Sequence, residues 1–496
     1  MSNHAYVSAG YLEQVVAEYR GNPLIEALPP ILSEEAAAVA MSNYPAVPTA
    51  EDRLLPKEIR LHSLDRLKRL VQPLPIHLEL ESVISSVIRG GYVGRNPMAA
   101  DTWRHLYSLS TERGAASDFV SSASSFSLVG LSGIGKSTAL DSILKLYPQV
   151  IRHQKYRGRG FVHTQITYLK LDCPFDGSLS GLCRAFFRAV DVALGHDRYT
   201  RRLRPRAGVP ELIQQMEQVA STYFIGALFI DELQHLRAAK TGGKENMLNF
   251  FVNLINCIGI PVVFVGTNSM VELFGTVMRN ARRACDKGSH EFERPAQDDP
   301  IWGIMLDAVW RYQWVQNPAP LTPDIKARLY DLTQGVTDYL AKLMILGQRY
   351  AIQTGKETLT TDVFSYVANT RMKLLKPAIA ALRSGDPRQM ERFEDLLPTD
   401  DQLKAMMTQD GEGTLAARLD ILMRTQPSSA AAEVAPRSAP SNPPPAEPVA
   451  AAAPPPVKRQ SEVPELTQQA DSVAALKQAG WLLQDPLEFS TAYRTL

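Results

Sequence analysis

Cysteine is scarce in this chain. Its 496 residues hold four, Cys173, Cys183, Cys257 and Cys285, with no CxxC pair and no histidine-rich ligand set beside any of them. That excludes a disulfide framework or a zinc site of ordinary spacing, and the four read as reduced, structural thiols. Also missing is any run of about 18 apolar residues, so no membrane-spanning helix and no membrane partner are expected. The N-terminal MSNHAYVSAG lacks the basic head and apolar stretch of an export signal, which predicts a soluble, cytoplasmic protein. Nor does either sign of charge dominate: 53 Lys plus Arg stand against 52 Asp plus Glu. A polyanionic partner would therefore have to be met by a local surface.

What the chain does have is a change of pattern along its length. Residues 1–100 mix short helical periods with turn residues, as in GNPLIEALPP and HLELESVISSVIRGGYVGRNP, and read as a helical N-terminal extension. From Phe126, short apolar strands alternate with amphipathic helices: FSLV, ITYLKL at 166–171, ALFI at 227–230 and PVVFV at 261–265. Such alternation predicts a parallel sheet covered by helices over 101–296. Only helical periods follow, predicting a helical lid at 297–372 and a helical extension at 373–425. Residues 430–457 hold ten Ala and nine Pro, a composition unable to offset the entropy of chain ordering, so 426–463 reads as a disordered linker. The tail 464–496 carries Trp481, Leu482, Leu483 and Phe489, anchors for docking on a partner or for packing back on the chain's own core.

Chemistry is concentrated where FSLV runs into Gly130-Leu-Ser132-Gly133-Ile134-Gly135-Lys136-Ser137-Thr138. This satisfies GxxxxGK[ST] in a strand–loop–helix context, a specific signal for a loop that cradles phosphates. The glycines let backbone N–H groups approach phosphate oxygens, the helix N-terminus adds its dipole, and Lys136 neutralises the β and γ charges. Ser137 is expected to ligate Mg²⁺. A second strand, ALFIDELQHL, ends in Asp231 and Glu232, assigned respectively to the Mg²⁺ shell and to water activation. The next ends in Thr267 and Asn268, which orient the attacking water if their strand lies between the other two, or cap the helix that begins near Ser269. Arg282 and Arg283, in VMRNARRACDKG, are candidates for an arginine finger donated to an adjacent subunit, or form a solvated helix end. ATP and Mg²⁺ are the implied cofactors.

Between the two nucleotide motifs, residues 151–206 hold twelve Lys or Arg against four Asp. Lys155, Arg157 and Arg159 form one cluster; Arg201, Arg202, Arg204 and Arg206 form the other. Gly and Pro interrupt both, which predicts loops making sequence-independent contacts with a phosphate backbone, or else ordinary surface charge.

Longer strings carry a family resemblance. YRGNPLIEALP, HLELESVISSVIRGGYVGRNP, SGIGKSTALDSILKLYPQVIRHQKYRG, LKLDCPFDGSLSGLCRAFFRAVD, ARRA and WGIMLDAVWRYQWV together resemble the TnsC family across about residues 10–395. These are AAA+ regulators of bacterial heteromeric transposons, with the shorter TniB ATPases as relatives. The resemblance implies an AAA+ P-loop fold and ATP-dependent homo-oligomers, rings or filaments, on duplex DNA. It also implies a target-selector partner of the TnsD/TniQ kind and recruitment of TnsA/TnsB-like transposase subunits. Lys136, Ser137, Asp231 and Glu232 keep their roles by position, and the basic residues within 151–206 match a DNA-contacting region. One departure is that GVTDYLAK places Asp338 where many AAA+ lids have a nucleotide-sensing arginine, with Lys342 one turn later. An assembly scaffold that does not hydrolyse ATP, or an unrelated P-loop ATPase, are the competing readings.

Overall fold

A computed structural model of the chain describes residues 6–110, 121–204, 207–238, 251, 254–270, 287–386 and 389. Contacts divide the chain into Met1–Thr425 and Gln426–Leu496, and the described residues all fall in the first. In chain order they form β1 (Val7–Ser8), several short helical segments, α1 (Pro75–Val93), β2 (Phe126–Gly130), α2 (Lys136–Leu144), β3 (Val150–Tyr156), β4 (Arg159–Ile166) and β5 (Tyr168–Asp172). Next come α3 (Leu179–Leu194), α4 (Arg198–Arg202), α5 (Val209–Thr222), β6 (Ala227–Asp231), β7 (Val262–Gly266) and β8 (Ser289–Phe292). The helices α6 (Pro300–Trp310), α7 (Pro323–Thr333), α8 (Thr337–Gln353), α9 (Thr361–Thr370) and α10 (Lys376–Ser384) follow.

Five parallel strands make the main sheet in the order β5-β6-β7-β2-β8. β2, β6 and β7 are buried at every position, because helices cover both faces and no strand residue can be spared for water. Leu228, Ile230, Val262 and Phe264 face α3 and α5 in one core. Ala227, Phe229, Val263 and Val265 face the opposite way, toward α1 and α2. The N-terminal region thus supplies part of the sheet's own cover: Tyr92 Oη donates to Phe224 O at 2.8 Å and the buried Arg95 donates to Ile225 O at 2.8 Å. The apolar period of α1 is what buries it, and polar side chains at and just beyond its C-terminal end satisfy carbonyls at the foot of the sheet.

In the main sheet, two strand features depart from the sequence reading. The stretch 166–171 is not one strand: Ile166 ends β4, the chain turns at Thr167, and β5 runs Tyr168–Asp172. β8 was not anticipated, since Ser-His-Glu-Phe shows no apolar run; among the described residues it is an edge strand bonded to β2 alone, and an edge needs less apolar surface.

Beyond the sheet, α6–α9 pack with Leu375, Ile379 and Leu382 around a separate core. Three of these starts are chemically marked: Asp299 Oδ1 accepts from Ile301 N at 2.8 Å, Thr322 Oγ1 from Ile325 N and Thr360 Oγ1 from Val363 N, both at 3.3 Å. Pro follows the cap in the first two, where its missing N–H costs nothing. Leu64, Leu67 and Leu74 of the N-terminal region also enter this core. No helix among the described residues is long and apolar enough to cross a membrane.

Candidate nucleotide site

The phosphate-loop residues sit at the end of β2 and the start of α2, as their spacing requires. Gly133 and Gly135 have φ of +78° and +110°, left-handed conformations that an L side chain would resist. Lys136 is buried, and its Nζ donates to Gly130 O at 2.7 Å and to Leu131 O at 2.8 Å, so the ammonium is held directly over the loop. Gly130 and Ile134 are buried within the loop, whereas Ser132 and Thr138 are exposed along it.

Strand order brings the second acidic motif to the same place. β7 lies between β6 and β2, so Thr267 and Asn268 emerge between the phosphate loop and the acidic pair, the position on which their candidacy depended. Ser137 Oγ donates to Asp231 Oδ2 at 2.8 Å, while the other oxygen of this buried carboxylate accepts from Glu232 N at 2.9 Å. Glu232 itself adopts φ +57°, a left-handed turn that sends its side chain away from the strand direction. Partial desolvation, together with the charge of Asp231, raises its pKa above the ordinary glutamate value.

Two contributors escaped the sequence reading. Gln234 Nε2 donates to Glu232 Oε2 and Gln234 Oε1 accepts from Thr267 N at 3.3 Å, tying the water-activation candidate to the β7 loop. Thr267 Oγ1 in turn lies 2.9 Å from Ser269 Oγ, at the start of the following helix. The second contributor is Lys170 on β5, whose Nζ is 2.8 Å from Asp141 Oδ1 and 3.6 Å from Asp231 Oδ2. Burial opposes its charge, but the hydrogen bond and charge of Asp141 and the charges of Asp231 and Asp172 prevail and raise its pKa. Gln234 follows Glu232 by two residues and could have been flagged from ELQ; Lys170 becomes visible only once β5 is placed beside β6.

A cleft of about 680 Å³ opens beside the loop, between Gly133, Ile134 and Thr138, the segment Leu70–His77, and the lid helix α8. Two hydrogen bonds fasten that helix to the loop backbone: Asp338 N donates to Gly133 O at 3.0 Å and Thr337 Oγ1 to Ile134 O at 2.7 Å. Asp338, anticipated as a departure from a sensing arginine, therefore touches the loop, and Lys342 Nζ pairs with its carboxylate at 2.5 Å. On the facing wall His77 is buried, accepts from Leu74 N at 3.2 Å through Nδ1, and meets Phe292 edge-on with ring centroids 5.7 Å apart. Burial lowers its pKa to about 4, so the ring is neutral near pH 7. Nothing in a lone histidine on a helical period announces such a cleft.

The donor chemistry suits Mg²⁺. One hydroxyl and one carboxylate, 2.8 Å apart, form the sparse, hard-oxygen set to which this ion adds phosphates and waters. Among the described residues no group of three or more His, Cys, Asp or Glu could hold a metal alone. Cys173 and Cys183 are free and buried, and burial pushes both thiols up to about 12, which keeps them unreactive.

The basic clusters lie only partly in loops: Arg157 is in a turn and Arg204 in an irregular segment, whereas Lys155, Arg159, Arg201 and Arg202 lie in strands or a short helix. Lys155, Arg157 and Arg159 cap the antiparallel hairpin β3–β4, whose two-residue turn Arg157-Gly158 has φ of +48° and +77°. Positive φ at both positions matches the right-handed twist of the strands, which is why Gly breaks the basic run there. β1 adds a parallel third strand. Arg157 Nη2 pairs at 3.0 Å with Glu26, a buried carboxylate that also accepts from Tyr156 Oη at 2.8 Å, so this arginine is partly spent on holding the turn. Arg201 and Arg202 lie on the short helix α4, where Arg201 pairs with Asp197 at 2.7 Å; Arg204 lies 4.0 Å from Glu211. Arg206, Arg282, Arg283, Trp481, Leu482, Leu483 and Phe489 lie outside the described residues.

Fold and site together have the architecture of an AAA+ P-loop fold. The AAA domain family matches residues 119–274, which span the phosphate loop, the acidic strand and the strand between them. No curated protein matches the chain. Among solved structures it is similar to the Aeropyrum pernix ORC1 protein in complex with DNA, at 17% identity over 68% of this chain and 82% of that one, TM-score 0.37. It is similar also to Cdc6p from Pyrobaculum aerophilum, at 15% identity over 57% and 78%, TM-score 0.33. The Thermotoga maritima RuvB Holliday junction branch migration motor aligns at 13% identity over 53% and 70%, TM-score 0.29.

Proposed function

We propose that this chain is an ATP-dependent regulator of DNA transposition. It assembles on duplex DNA with ATP, links a TnsD/TniQ-like target selector to TnsA/TnsB-like transposase subunits, and hydrolyses ATP to disassemble or reset. The observation that carries the ATPase part is the convergence of Lys136, Ser137, Asp231 and Glu232 at the C-terminal ends of β2 and β6, joined by the Ser137–Asp231 hydrogen bond of 2.8 Å. The transposition part rests on the TnsC-like strings, and the partners, the ring or filament and the cytoplasmic location rest with it.

In this reading Lys136 and the loop N–H groups hold the phosphates, and Ser137 and Asp231 hold Mg²⁺, which shields the phosphate charge when bound. Glu232, with its raised pKa, accepts a proton from the attacking water, and Gln234 fixes its carboxylate relative to Thr267 and Asn268. The cleft beside the loop takes the base and ribose, His77 and the start of α8 forming opposite walls. The lid senses the nucleotide through its two hydrogen bonds to the loop backbone. Arg282 or Arg283 completes the neighbour's site in the oligomer. Lys155 and Arg159 at the hairpin tip, with Arg201, Arg202, Arg204 and Arg206, meet the phosphate backbone without reading sequence.

A scaffold that uses ATP only for assembly is favoured by one specific feature, the hydrogen bond that occupies a Glu232 oxygen. The deciding experiment is ATP turnover with and without duplex DNA, alongside sedimentation in ATP, in a slowly hydrolysed analogue and without nucleotide. Lys136→Ala is expected to abolish binding and assembly; Glu232→Gln is expected to assemble and stay assembled. Assembly without turnover establishes the scaffold, and indifference to DNA overturns the transposition reading.

A further inference from the structure

Asp231 is a buried carboxylate, 4% exposed, and such a group is costly unless a cation stands near it. Among the described residues, hydrogen bonds reach both of its oxygens. Oδ1 accepts from Glu232 N, Oδ2 accepts from Ser137 Oγ, and neither donor carries charge. The ammonium of Lys136 is engaged with the carbonyls of Gly130 and Leu131. Lys170 places a cation beside Asp231, 3.6 Å from Oδ2 and anchored at 2.8 Å by Asp141 on the phosphate-loop helix.

The register makes this placement deliberate in the fold. Lys170 pairs with Phe229 and Asp172 with Asp231 across β5 and β6, so Lys170 and Asp231 share the sheet face that α2 covers. Lys170 is one-quarter exposed, long enough to reach Asp141 while its stem stays against the sheet.

We propose that Lys170 is a positioning residue of the metal site, a resident countercharge that balances Asp231 before metal arrives and thereby sets how much Mg²⁺ the nucleotide complex requires. This rests on the ATP and Mg²⁺ reading given above. Mg²⁺ and the ammonium compete for the field of one carboxylate, so a fixed positive charge beside it weakens the metal. With ATP present the phosphates supply the missing negative charge and the metal wins; without ATP the balance favours the lysine. The site is thereby biased against metal in the absence of nucleotide.

The test is a titration of Mg²⁺ into full-length protein with a fluorescent ATP analogue, read as analogue binding, with Mn²⁺ binding followed in parallel by electron paramagnetic resonance. Lys170→Met should lower the half-saturating metal concentration roughly three- to tenfold, since one unit charge is removed a few ångströms away. Lys170→Arg, which keeps the charge, should stay within about twofold of wild type by the same argument. Asp141→Asn should move the midpoint upward, because the ammonium, released from Asp141, is then left to the field of Asp231 and Asp172 and one nearby negative charge is lost. An unchanged or raised midpoint in Lys170→Met, or equal shifts in the Met and Arg variants, would overturn the proposal while wild type still binds analogue in a metal-dependent way. If wild type shows no metal-dependent binding, the nucleotide reading falls, and this one with it.

Discussion

Replacing Gly133 by alanine tests whether the lid and the phosphate loop are mechanically one object. The backbone there has φ +78°, which costs an L residue about 1–2 kcal/mol. An added Cβ would also stand 3.1 Å from Asp338 Cβ and 3.5 Å from Val336 Cγ1. Those atoms belong to the start of α8, which is fastened to the loop by Asp338 N and Thr337 Oγ1 and has little room to retreat. Overpacking of this kind costs about 1–3 kcal/mol. The sum, about 2–5 kcal/mol, corresponds to at least a roughly thirtyfold loss of ATP affinity if the loop bears it. Equilibrium binding of a fluorescent ATP analogue measures this, with a thermal melt to show that the fold persists. Asp338→Gly removes the clashing Cβ, so the double variant, referred to the Asp338→Gly single variant, should recover the steric part and leave only the backbone part. Analogue binding within about threefold of wild type for Gly133→Ala, or no recovery in the double variant, would refute the contact.

Two further outcomes follow from buried charge. Arg60 donates to Glu357 through Nη1 and Nη2, both at 2.7 Å, with side-chain exposures of 3% and 13%. Arg60→Met strands a largely buried carboxylate and should cost about 3–5 kcal/mol in chemical denaturation, most of it regained on adding Glu357→Met. His77 is neutral in the fold because burial depresses its pKa from 6.5 to about 4. The unfolded chain therefore binds more protons than the folded one between those values: there is no penalty above pH 6.5, a growing loss as the pH falls toward 4, and no further loss below it. The full loss is about 3 kcal/mol, and His77→Gln should flatten that limb of a stability-against-pH curve.

Much of this protein is local, and what is local could be read from the chain. The phosphate loop needs its glycines, lysine and serine at fixed spacing because the backbone itself forms the cradle. The buried strands announce themselves as apolar runs because helices cover both sheet faces, and capped starts such as Asp299-Pro300 and Thr322-Pro323 mark helices through the first turn alone. The hairpin beneath the basic cluster was not read, since its residues alternate between charge and burial and its turn uses an arginine at positive φ held by Glu26, about 130 positions away. Likewise β8, with one neighbour among the described residues, carries no apolar run to betray it. Lys170 beside Asp231, Gln234 bridging Glu232 to Thr267, and Asp338 against Gly133 depend on which strands are neighbours and where the lid docks. Sequence determined the chemistry of the loop because that chemistry is made by consecutive residues. Tertiary structure alone decided the charge balance at Asp231 and the walls of the cleft, because each is built by side chains that meet only after distant segments have packed.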